Sequence, residues 1–574
     1  MKDEDSTITY VSSDEASTVS DRACDSVEST LISKESKSEP LLKKQVSTIE
    51  EPKANSSIAG VSANLMNTIV GSGIVGVPFA FQQSGYIAGL VLMIMVAYMT
   101  TVSLQMLINL AMFSPKLKNL GVRTYEDMFM IPFGKMGRRV ILAALFICSY
   151  GPNLSYLLIL KQALGMVLDF GDSFVDREVP MLIVALVLIL PLCLLRDISR
   201  LAFTSMISII AELALIIIVA CYSPIASNVA SAGGLGTVLE ENWINSGLFV
   251  GLGIISSSMT CQQASFNLAG SLSDKTPRRW AAATRYSVWS AALLNLIMGT
   301  VGFFGFLDET NGDILTNFPS DSVGINVGRI LLSCTMVLTF PIMFFILRQV
   351  FLQLFFEGKL KETTTGPDGI EIPKPKLLGC FGQFEMYSIL LFLSIIIPAL
   401  FVRDLGPVLS FVGAIGSSCL AYIAPGLAYL GINGREFLTC IQKFVKKESC
   451  KNSPAICDVN VNANAEASVL RIPSGGKPLW WWAGGFPLWA KIAVVGGNNT
   501  DSFLKDFHID CDERSQVDEE RANKIASFTV EAPKSAEDIS IPRFRDFMTS
   551  IYFVVFGVIA MVAGVGSTII LIVN

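Results

Sequence analysis

The sequence contains a single histidine, His508, and its 12 cysteines form no Cys-x-x-Cys pair. One histidine is too few for a His-ligated metal site, and it makes a Ser-His-Asp triad unsupported. The Gly-x-x-x-x-Gly-Lys-[Ser/Thr] loop of nucleotide-driven pumps is also missing. We therefore expect a protein that is not an enzyme, has no resident cofactor and has no nucleic-acid partner.

Charged residues are scarce, at 16% of the chain, against about 25% in soluble domains. Hydrophobic residues make up 51%, and the mean hydropathy is +0.54. These values predict an all-α polytopic membrane protein. Eleven apolar segments are each about 20 residues long, enough to cross ~30 Å of hydrocarbon. They begin near Ile58, Ile87, Ile141, Pro180, Leu201, Gly247, Ser287, Val327, Met386, Val408 and Phe547.

The loops between these segments alternate in charge, and this alternation predicts their orientation. Lys and Arg concentrate in one set of loops, at 114–139, 196–200, 275–285 and 357–376. The other set, at 169–178, 223–245, 308–321 and the turn at Arg403, is nearly free of them. Because basic loops stay in the cytosol, the N-terminus is predicted to be cytosolic and Asn574 to lie on the other side. Two Asn-x-Ser/Thr sequons outside the predicted spans, Asn55 and Asn498, then fall on the cytosolic side.

Four regions follow from this pattern. Residues 1–56 are a polar, Ser-rich tail that we expect to be disordered, and residues 57–431 carry helices 1–10. A polar cytosolic insert covers 432–545, and 546–574 form the last helix and C-terminus. The insert contains PLWWWAGGFPLWAKIAVVGG at 478–497, which we interpret as an interfacial segment, with a twelfth span as the alternative. The tail and insert are candidate docking sites for cytosolic regulators.

The first span contains NTIVGSGIVGVPFAF at 67–81, with glycines in the Gly-x-Gly-x-x-Gly spacing of a dinucleotide-binding loop. That interpretation needs a strand before the first glycine and a soluble βαβ unit, and membrane spans surround this stretch instead. Two alternatives remain. Glycines allow close helix packing in lipid, or together with Pro78 they interrupt the helix, exposing peptide groups to a cavity.

A second interrupted span would favour the broken helix, and the sixth segment supplies one. It reads GLGIISSSMTCQQASFNLAGSL at 251–272, with seven polar or thiol side chains at mid-membrane. Interruptions at corresponding positions of two halves are typical of inverted-repeat transporters. The sequence thus predicts five helices plus five, with one extra helix at the C-terminus.

Five motifs in order resemble the amino acid/auxin permease family, which includes sodium-coupled neutral amino acid transporters and fungal vacuolar amino acid transporters. They are NLMNTIVGSGIVGVPFAFQQSG, GPNLSYLLILKQAL, CQQASFNLAGSLSDKTPRRW, LTFPIMFFILR and GAIGSSCLAYIAPGLAYL. Together they extend over nearly all of residues 57–430. The resemblance implies a LeuT-like 5+5 fold. Gln262 stands where many relatives carry His, so this position is not expected to carry a proton.

The resemblance also implies a substrate amino acid between the broken first and sixth helices. The implied substrate-binding residues are Asn64, Thr68, Ile69, Val70, Gly71, Ser72, Gly73, Ser257, Ser258, Cys261 and Gln262. For the hydroxyls, the alternative is a hydrogen bond to a carbonyl one turn earlier.

Coupling by Na⁺ or H⁺ is predicted from a second group of residues. Asn67 matches a family asparagine associated with sodium, and Thr335 and Thr339 share a face of the eighth helix, offering oxygen ligands. Glu212 lies ~18 Å into the fifth span by the 1.5 Å rise, where desolvation favours a neutral carboxyl and makes it a candidate proton carrier. Lys161 matches a family lysine, with snorkelling to the interface as the alternative.

These observations together predict a secondary active transporter for amino acids, neutral ones in the first place. A non-transporting amino-acid sensor on the same fold is the alternative. We expect a monomer in the vacuolar (lysosome-like) membrane, with the plasma membrane as the other location.

Overall fold

A computed structural model describes residues 56–118, 122, 124–168, 174–195, 204–356, 363–365, 371–373, 382–434, 437 and 544–573. Four predictions lie outside these residues: the disordered tail up to residue 55, almost all of the insert, its Trp-rich segment 478–497, and both sequons. The last helix begins at Phe544, two residues before the predicted boundary.

The described chain is almost entirely helical. The α-helices are α1 Ile58–Val70, α2 Val77–Ser84, α3 Tyr86–Ile108, α4 Pro115–Lys118, α5 Tyr125–Leu168, α6 Phe174–Val184, α7 Leu190–Cys193, α8 Thr204–Tyr222, α9 Ile225–Ser231, α10 Leu235–Glu241, α11 Leu248–Ser258, α12 Gln262–Ser271, α13 Pro277–Phe306, α14 Val323–Phe356, α15 Gln383–Phe401, α16 Leu405–Val412, α17 Ala424–Ile432 and α18 Phe544–Val573. Short 3₁₀ turns lie at Gly71–Gly76, Leu307–Glu309 and Ile314–Asn317, and π-helical segments at Asn109–Phe113, Ala185–Ile189 and Gly413–Ile423. Two three-residue strands, β1 Thr363–Thr365 and β2 Glu371–Pro373, pair antiparallel.

Within the described part of the chain, seven helices are long and apolar enough to cross a membrane, and up to nine spans result if each of two bent helix pairs counts as one. The bent pairs are Ile58–Val70 with Gly73–Ser84, at 44°, and Ile207–Tyr222 with Ile225–Ser231, at 48°. Glu178–Cys193 is a shorter apolar helix. The chain is therefore an integral multi-pass membrane protein.

The first predicted span is interrupted at its glycines. Regular α-helix ends at Val70 because Gly71 adopts φ 28° and ψ −139°, a left-handed backbone that glycine enters without the Cβ penalty. A 3₁₀ turn continues to Gly76, and α2 then starts with Pro78 in its first turn, where a proline is tolerated. Gly71 thus ends the first helix of this span, and Pro78 lies where the second helix begins.

The sixth predicted span is interrupted as well. Helix α11 ends at Ser258, Met259 and Cys261 have non-helical backbone angles, and α12 begins at Gln262. Ser258 fills the space beside Gly73, because a Cβ built on Gly73 would lie 2.5 Å from the Ser258 Cβ. The two interruptions are therefore in direct contact.

Helix α11 lies at the centre of the protein, where it contacts α2, α16 and the following π-helical segment. The contact with α16 and its continuation is very close, since a Cβ on Gly413 would lie only 1.7 Å from the Gly253 carbonyl oxygen. Small residues at helix interfaces permit such approaches in lipid. The third helix differs from its prediction: α5 starts at Tyr125 rather than near Ile141 and bends at Gly134, where φ is 64°.

Candidate functional site

A small cavity of about 30 Å³ lies between the two helix interruptions, enough for one or two water molecules. The interruptions supply Thr68, Ile69, Gly71, Gly73, Ser257, Thr260 and Gln263 to its wall, and Pro152, Tyr156, Met343 and Leu409 come from α5, α14 and α16. Every lining residue is uncharged. The cavity is thus lined by both polar and apolar groups.

The hydroxyls that line the cavity differ in how they are engaged. The Thr68 hydroxyl donates to the Asn64 carbonyl at 2.9 Å, and the Thr260 hydroxyl donates to the Ser256 carbonyl. Both therefore keep lone pairs for accepting a further hydrogen bond. A Cβ built on Gly71 would lie 3.3 Å from the Tyr156 hydroxyl oxygen, so this phenol faces the interruption of the first span.

Five of the eleven predicted substrate-binding residues line the cavity: Thr68, Ile69, Gly71, Gly73 and Ser257. Among the others, Val70 is fully buried in the core, and Ser258 donates to the Ile255 carbonyl at 2.9 Å. The side chain of Ser72 lies outside what the structure describes.

Gln262 and Cys261 lie behind the cavity wall. The Gln262 side chain accepts from the Cys261 backbone N–H at 3.0 Å and donates to the Ser103 hydroxyl at 3.4 Å. Its neighbour Gln263 lines the cavity instead, and the Gln263 Oε1 atom is buried with no hydrogen-bond partner among the described residues. The sequence analysis selected Gln262 from this polar run, whereas Gln263 is the glutamine at the cavity; the one-residue difference depends on where α12 begins.

The predicted sodium ligands Asn67, Thr335 and Thr339 are all buried, and none of them lines the cavity. The Thr335 hydroxyl donates to the Leu331 carbonyl one turn earlier at 3.0 Å, the arrangement common for hydroxyls in membrane helices. Asn67 lies in the last turn of α1, immediately before the interruption. The sodium-binding role of these three residues stays a prediction.

Glu212 is 1% exposed, and neither carboxylate oxygen has a hydrogen-bond partner among the described residues. Its charge acts electrostatically on Tyr156, which lines the cavity. A buried carboxylate without a partner is costly when ionised. Glu212 is thus buried within electrostatic range of a residue of the cavity wall, and its role as a proton carrier stays a prediction.

The side chain of Lys161 is buried within the protein. Its ammonium donates to the carbonyls of Ala399 and Val402, at 2.7 Å each, and pairs with Glu178 Oε1 at 3.2 Å. Both side chains of the pair are buried. Lys161 thus joins α5, α6 and the C-terminal end of α15. Sequence reasoning missed Glu178, since nothing in the pattern reveals which carboxylate a lysine on the preceding helix will meet.

The model of one family, described as "Transmembrane amino acid transporter protein", matches residues 54–451. This chain belongs to that family. The match confirms the amino acid/auxin permease resemblance carried by the five motifs. It also places the chain among transporters, which are not enzymes.

Individual known proteins match this chain at low sequence identity. The Mus musculus protein named "Putative sodium-coupled neutral amino acid transporter 11" is 26% identical over 385 residues, covering 66% of this chain and 78% of its own length. Vacuolar amino acid transporter 2 of Saccharomyces cerevisiae is 25% identical over 386 residues, covering 66% and 77%. A solved structure of a substrate-bound, outward-open Na⁺-coupled sialic acid symporter matches with TM-score 0.44 and 13% identity, covering 68% of this chain and 82% of that one.

Replacing Lys161 with Met tests its structural role. The variant leaves the Glu178 carboxylate buried without its cation, so we expect a loss of about 3–5 kcal/mol in stability, measured as a lower melting temperature of the detergent-purified protein. Lys161→Met/Glu178→Gln should melt between the single variant and the parent, since the uncompensated charge is gone. The control is Lys275→Met at an exposed lysine. Equal melting temperatures for Lys161→Met and Lys275→Met would contradict the assignment.

Proposed function

We propose that the protein is a secondary active transporter that moves neutral amino acids across a membrane by alternating access, coupled to protons or sodium. The observation that carries this proposal is the cavity between two contacting helix interruptions, lined entirely by uncharged residues. With about 30 Å³ of space, the cavity is too small for an amino acid, and its walls must separate before one enters.

Both ends of a zwitterion find suitable groups at the interruptions. The N-terminal ends of α2 and α12 carry a partial positive charge that suits a carboxylate. The C-terminal ends of α1 and α11 carry a partial negative charge that suits an ammonium group. Thr68, Thr260 and Gln263 add side-chain acceptors. Because no charged side chain lines the cavity, a neutral substrate side chain is favoured.

The proposed architecture has eleven spans, with helices 1–5 and 6–10 as inverted repeats and α18 as the extra helix. Its support is the position of the interruptions, one in the first predicted span and one in the sixth. We place the N-terminus in the cytosol by the charge of the loops. The vacuolar membrane is favoured by similarity to a yeast protein whose name is vacuolar amino acid transporter 2.

Among the coupling residues, the surroundings of Glu212 favour protons. Its carboxyl is buried beside Tyr156 and has no hydrogen-bond partner among the described residues. The ionised carboxylate is therefore much less stable here than the protonated form. The sodium set of Asn67, Thr335 and Thr339 offers only oxygen ligands, which suit a hard cation. Either ion remains compatible with the family resemblance.

The decisive experiment is flux into proteoliposomes containing the full chain. A panel of labelled neutral, cationic and anionic amino acids is offered with a Na⁺ gradient alone, a pH gradient alone, or neither. We expect concentrative movement of neutral amino acids with one of the two gradients. Saturable binding without net flux would instead identify the sensor, and absence of both would contradict the proposal.

Replacing Glu212 with Gln tests proton coupling. The substitution keeps the shape of the side chain and removes its exchangeable proton, so proton-driven uptake should fall at least tenfold. Substrate binding and exchange of labelled for unlabelled substrate should persist. The control is Glu240→Gln, at an exposed residue of α10. Unchanged proton-driven uptake in Glu212→Gln would remove this residue from the coupling mechanism.

The two adjacent glutamines allow a matched test of the cavity. Gln263→Ala removes an acceptor that faces the substrate and should weaken substrate affinity about tenfold, the value of a hydrogen bond of ~1.4 kcal/mol. Gln262→Ala removes contacts behind the wall and should lower thermal stability with a smaller change in affinity. Affinities come from competition of unlabelled substrate in the same vesicles. The reverse pattern would restore Gln262 as the substrate-binding residue.

A further inference from the structure

The loop between α13 and α14, residues 307–322, covers the interrupted part of the first span. We call it the outer loop, since its lack of basic residues predicts a non-cytosolic position. Its 3₁₀ turn Ile314–Asn317 contacts the Gly71–Gly76 turn and α5. The side chains of Ile314 and Leu315 in this turn, and of Phe318 after it, are buried. The outer loop is thus packed into the protein as a lid over the helix interruptions.

Arg329, in the first turns of α14, holds this loop in shape. The side chain is fully buried, and its guanidinium donates to the carbonyls of Leu315 at 2.9 Å and Phe318 at 2.7 Å. A further hydrogen bond of 3.2 Å reaches the Pro319 carbonyl. Three loop carbonyls are thus bound to one side chain of α14, which fixes the shape of the outer loop at this end.

The outer loop also touches the start of α16, and the contact lies at Asp404. A Cβ on Gly312 would lie 2.3 Å from the Asp404 Oδ1 atom and 2.4 Å from the Gly406 nitrogen. Asp404 caps α16 by accepting from the Gly406 N–H at 3.0 Å. In the same way, Asp313 caps the 3₁₀ turn by accepting from the Leu315 N–H at 3.0 Å. Asp404 thus contacts the residue that precedes Asp313 and acts on the Asp313 carboxyl electrostatically.

We propose that Asp313 is a proton-binding site that controls closure of the outer loop over the helix interruptions. Asp313 is 3% exposed in the closed loop, and becomes solvated when the loop lifts away from α16. Binding of a proton removes a buried charge that faces a second carboxylate. Closure and proton binding are therefore linked, and each favours the other.

The electrostatic surroundings of Asp313 agree with this linkage. Burial raises the pKa of Asp313 to about 6, the Asp404 carboxylate adds to the rise, and the Leu315 N–H and the Arg329 guanidinium oppose it. Arg329 on α14 and Asp404 before α16 are the charged groups that act on Asp313 from the packed elements within the described chain. The remaining acids of the outer loop, Asp308, Glu309 and Asp321, are exposed.

The sign of the effect follows from the two states. A solvated aspartate has a pKa near 3.9, lower than that of Asp313 in the closed loop, so the closed loop binds the proton more tightly. Closure is favoured at pH values below about 6 and weakens as the pH rises through that value. Between pH 5 and 7, the closed-to-open ratio should fall about tenfold.

The test uses purified full-length protein in detergent, without substrate. Failure of the proposed role of Asp313 is therefore distinguishable from failure of the proposed function. Leu315→Cys places a thiol under the loop, where the native side chain is 2% exposed. Maleimide labels this thiol when the loop lifts, and the chain without Leu315→Cys gives the background from native cysteines. Labelling is compared with Leu315→Cys/Asp313→Asn at each pH, which cancels the pH dependence of the reagent.

We expect the labelling rate of Leu315→Cys, divided by that of Leu315→Cys/Asp313→Asn, to rise about tenfold from pH 5 to 7. The Asp313→Asn substitution keeps a side-chain carbonyl that can cap the 3₁₀ turn but removes the group that ionises. Asp308→Asn, at an exposed residue of the same loop, should leave the pH response unchanged. A constant ratio, or no labelling of Leu315→Cys above background at any pH, overturns the proposal.

A second variant separates proton linkage from a merely structural effect. Asp404→Asn keeps a carbonyl to cap α16 and removes the charge facing Asp313, so the pKa of Asp313 should fall and the midpoint of the labelling profile should move to lower pH. A structural disturbance changes the overall rate without moving the midpoint in that direction. A midpoint that stays in place or rises would contradict the proposed link to Asp404.

Discussion

Peptide N–H and C=O groups cannot be left facing hydrocarbon, because each unsatisfied group costs several kcal/mol there. An interruption in a membrane helix is therefore stable only when protein encloses it. In this molecule two interruptions meet each other, with Gly73 against Ser258, and the surrounding helices close over both. The central position of α11, the close helix contacts and the small cavity all follow from this one requirement.

The same requirement explains where the small residues are. Gly73 has no room for a side chain beside Ser258, and Gly413 approaches the carbonyl of Gly253. Beyond Gly413 the tenth predicted span continues as a π-helix to Ile423, a geometry that is rare and often found at functional sites. This π-helical segment packs against α11, next to the interruption of the sixth predicted span.

Features that depend on local interactions were predictable from the sequence, and features that depend on contacts between distant segments were not. The interruptions at Gly71 and before Gln262 were predictable, because glycine, proline and clustered hydroxyls act on the backbone locally. The π-helix at Gly413–Ile423 was not predicted, although a run of small residues, GAIGSS, marks its first half. Tyr156 and Glu178 were also missed, since their roles depend on which helices become neighbours. The choice between Gln262 and Gln263 required the starting residue of α12, and boundaries are the least certain part of any pattern.

The buried cations of the described chain differ from Glu212 in how their charge is compensated. The cations Lys161, Arg329 and Arg348 each donate to backbone carbonyls at 2.7–3.3 Å, so their charge is met by fixed dipoles whatever the state of the cavity. Glu212 has no such partner among the described residues, and its neutral form is the one that the surroundings tolerate. With Glu212 neutral, the cavity region carries no net charge and matches a zwitterion, which also carries none. Any step that ionises Glu212 must then provide water or a cation to compensate the buried charge.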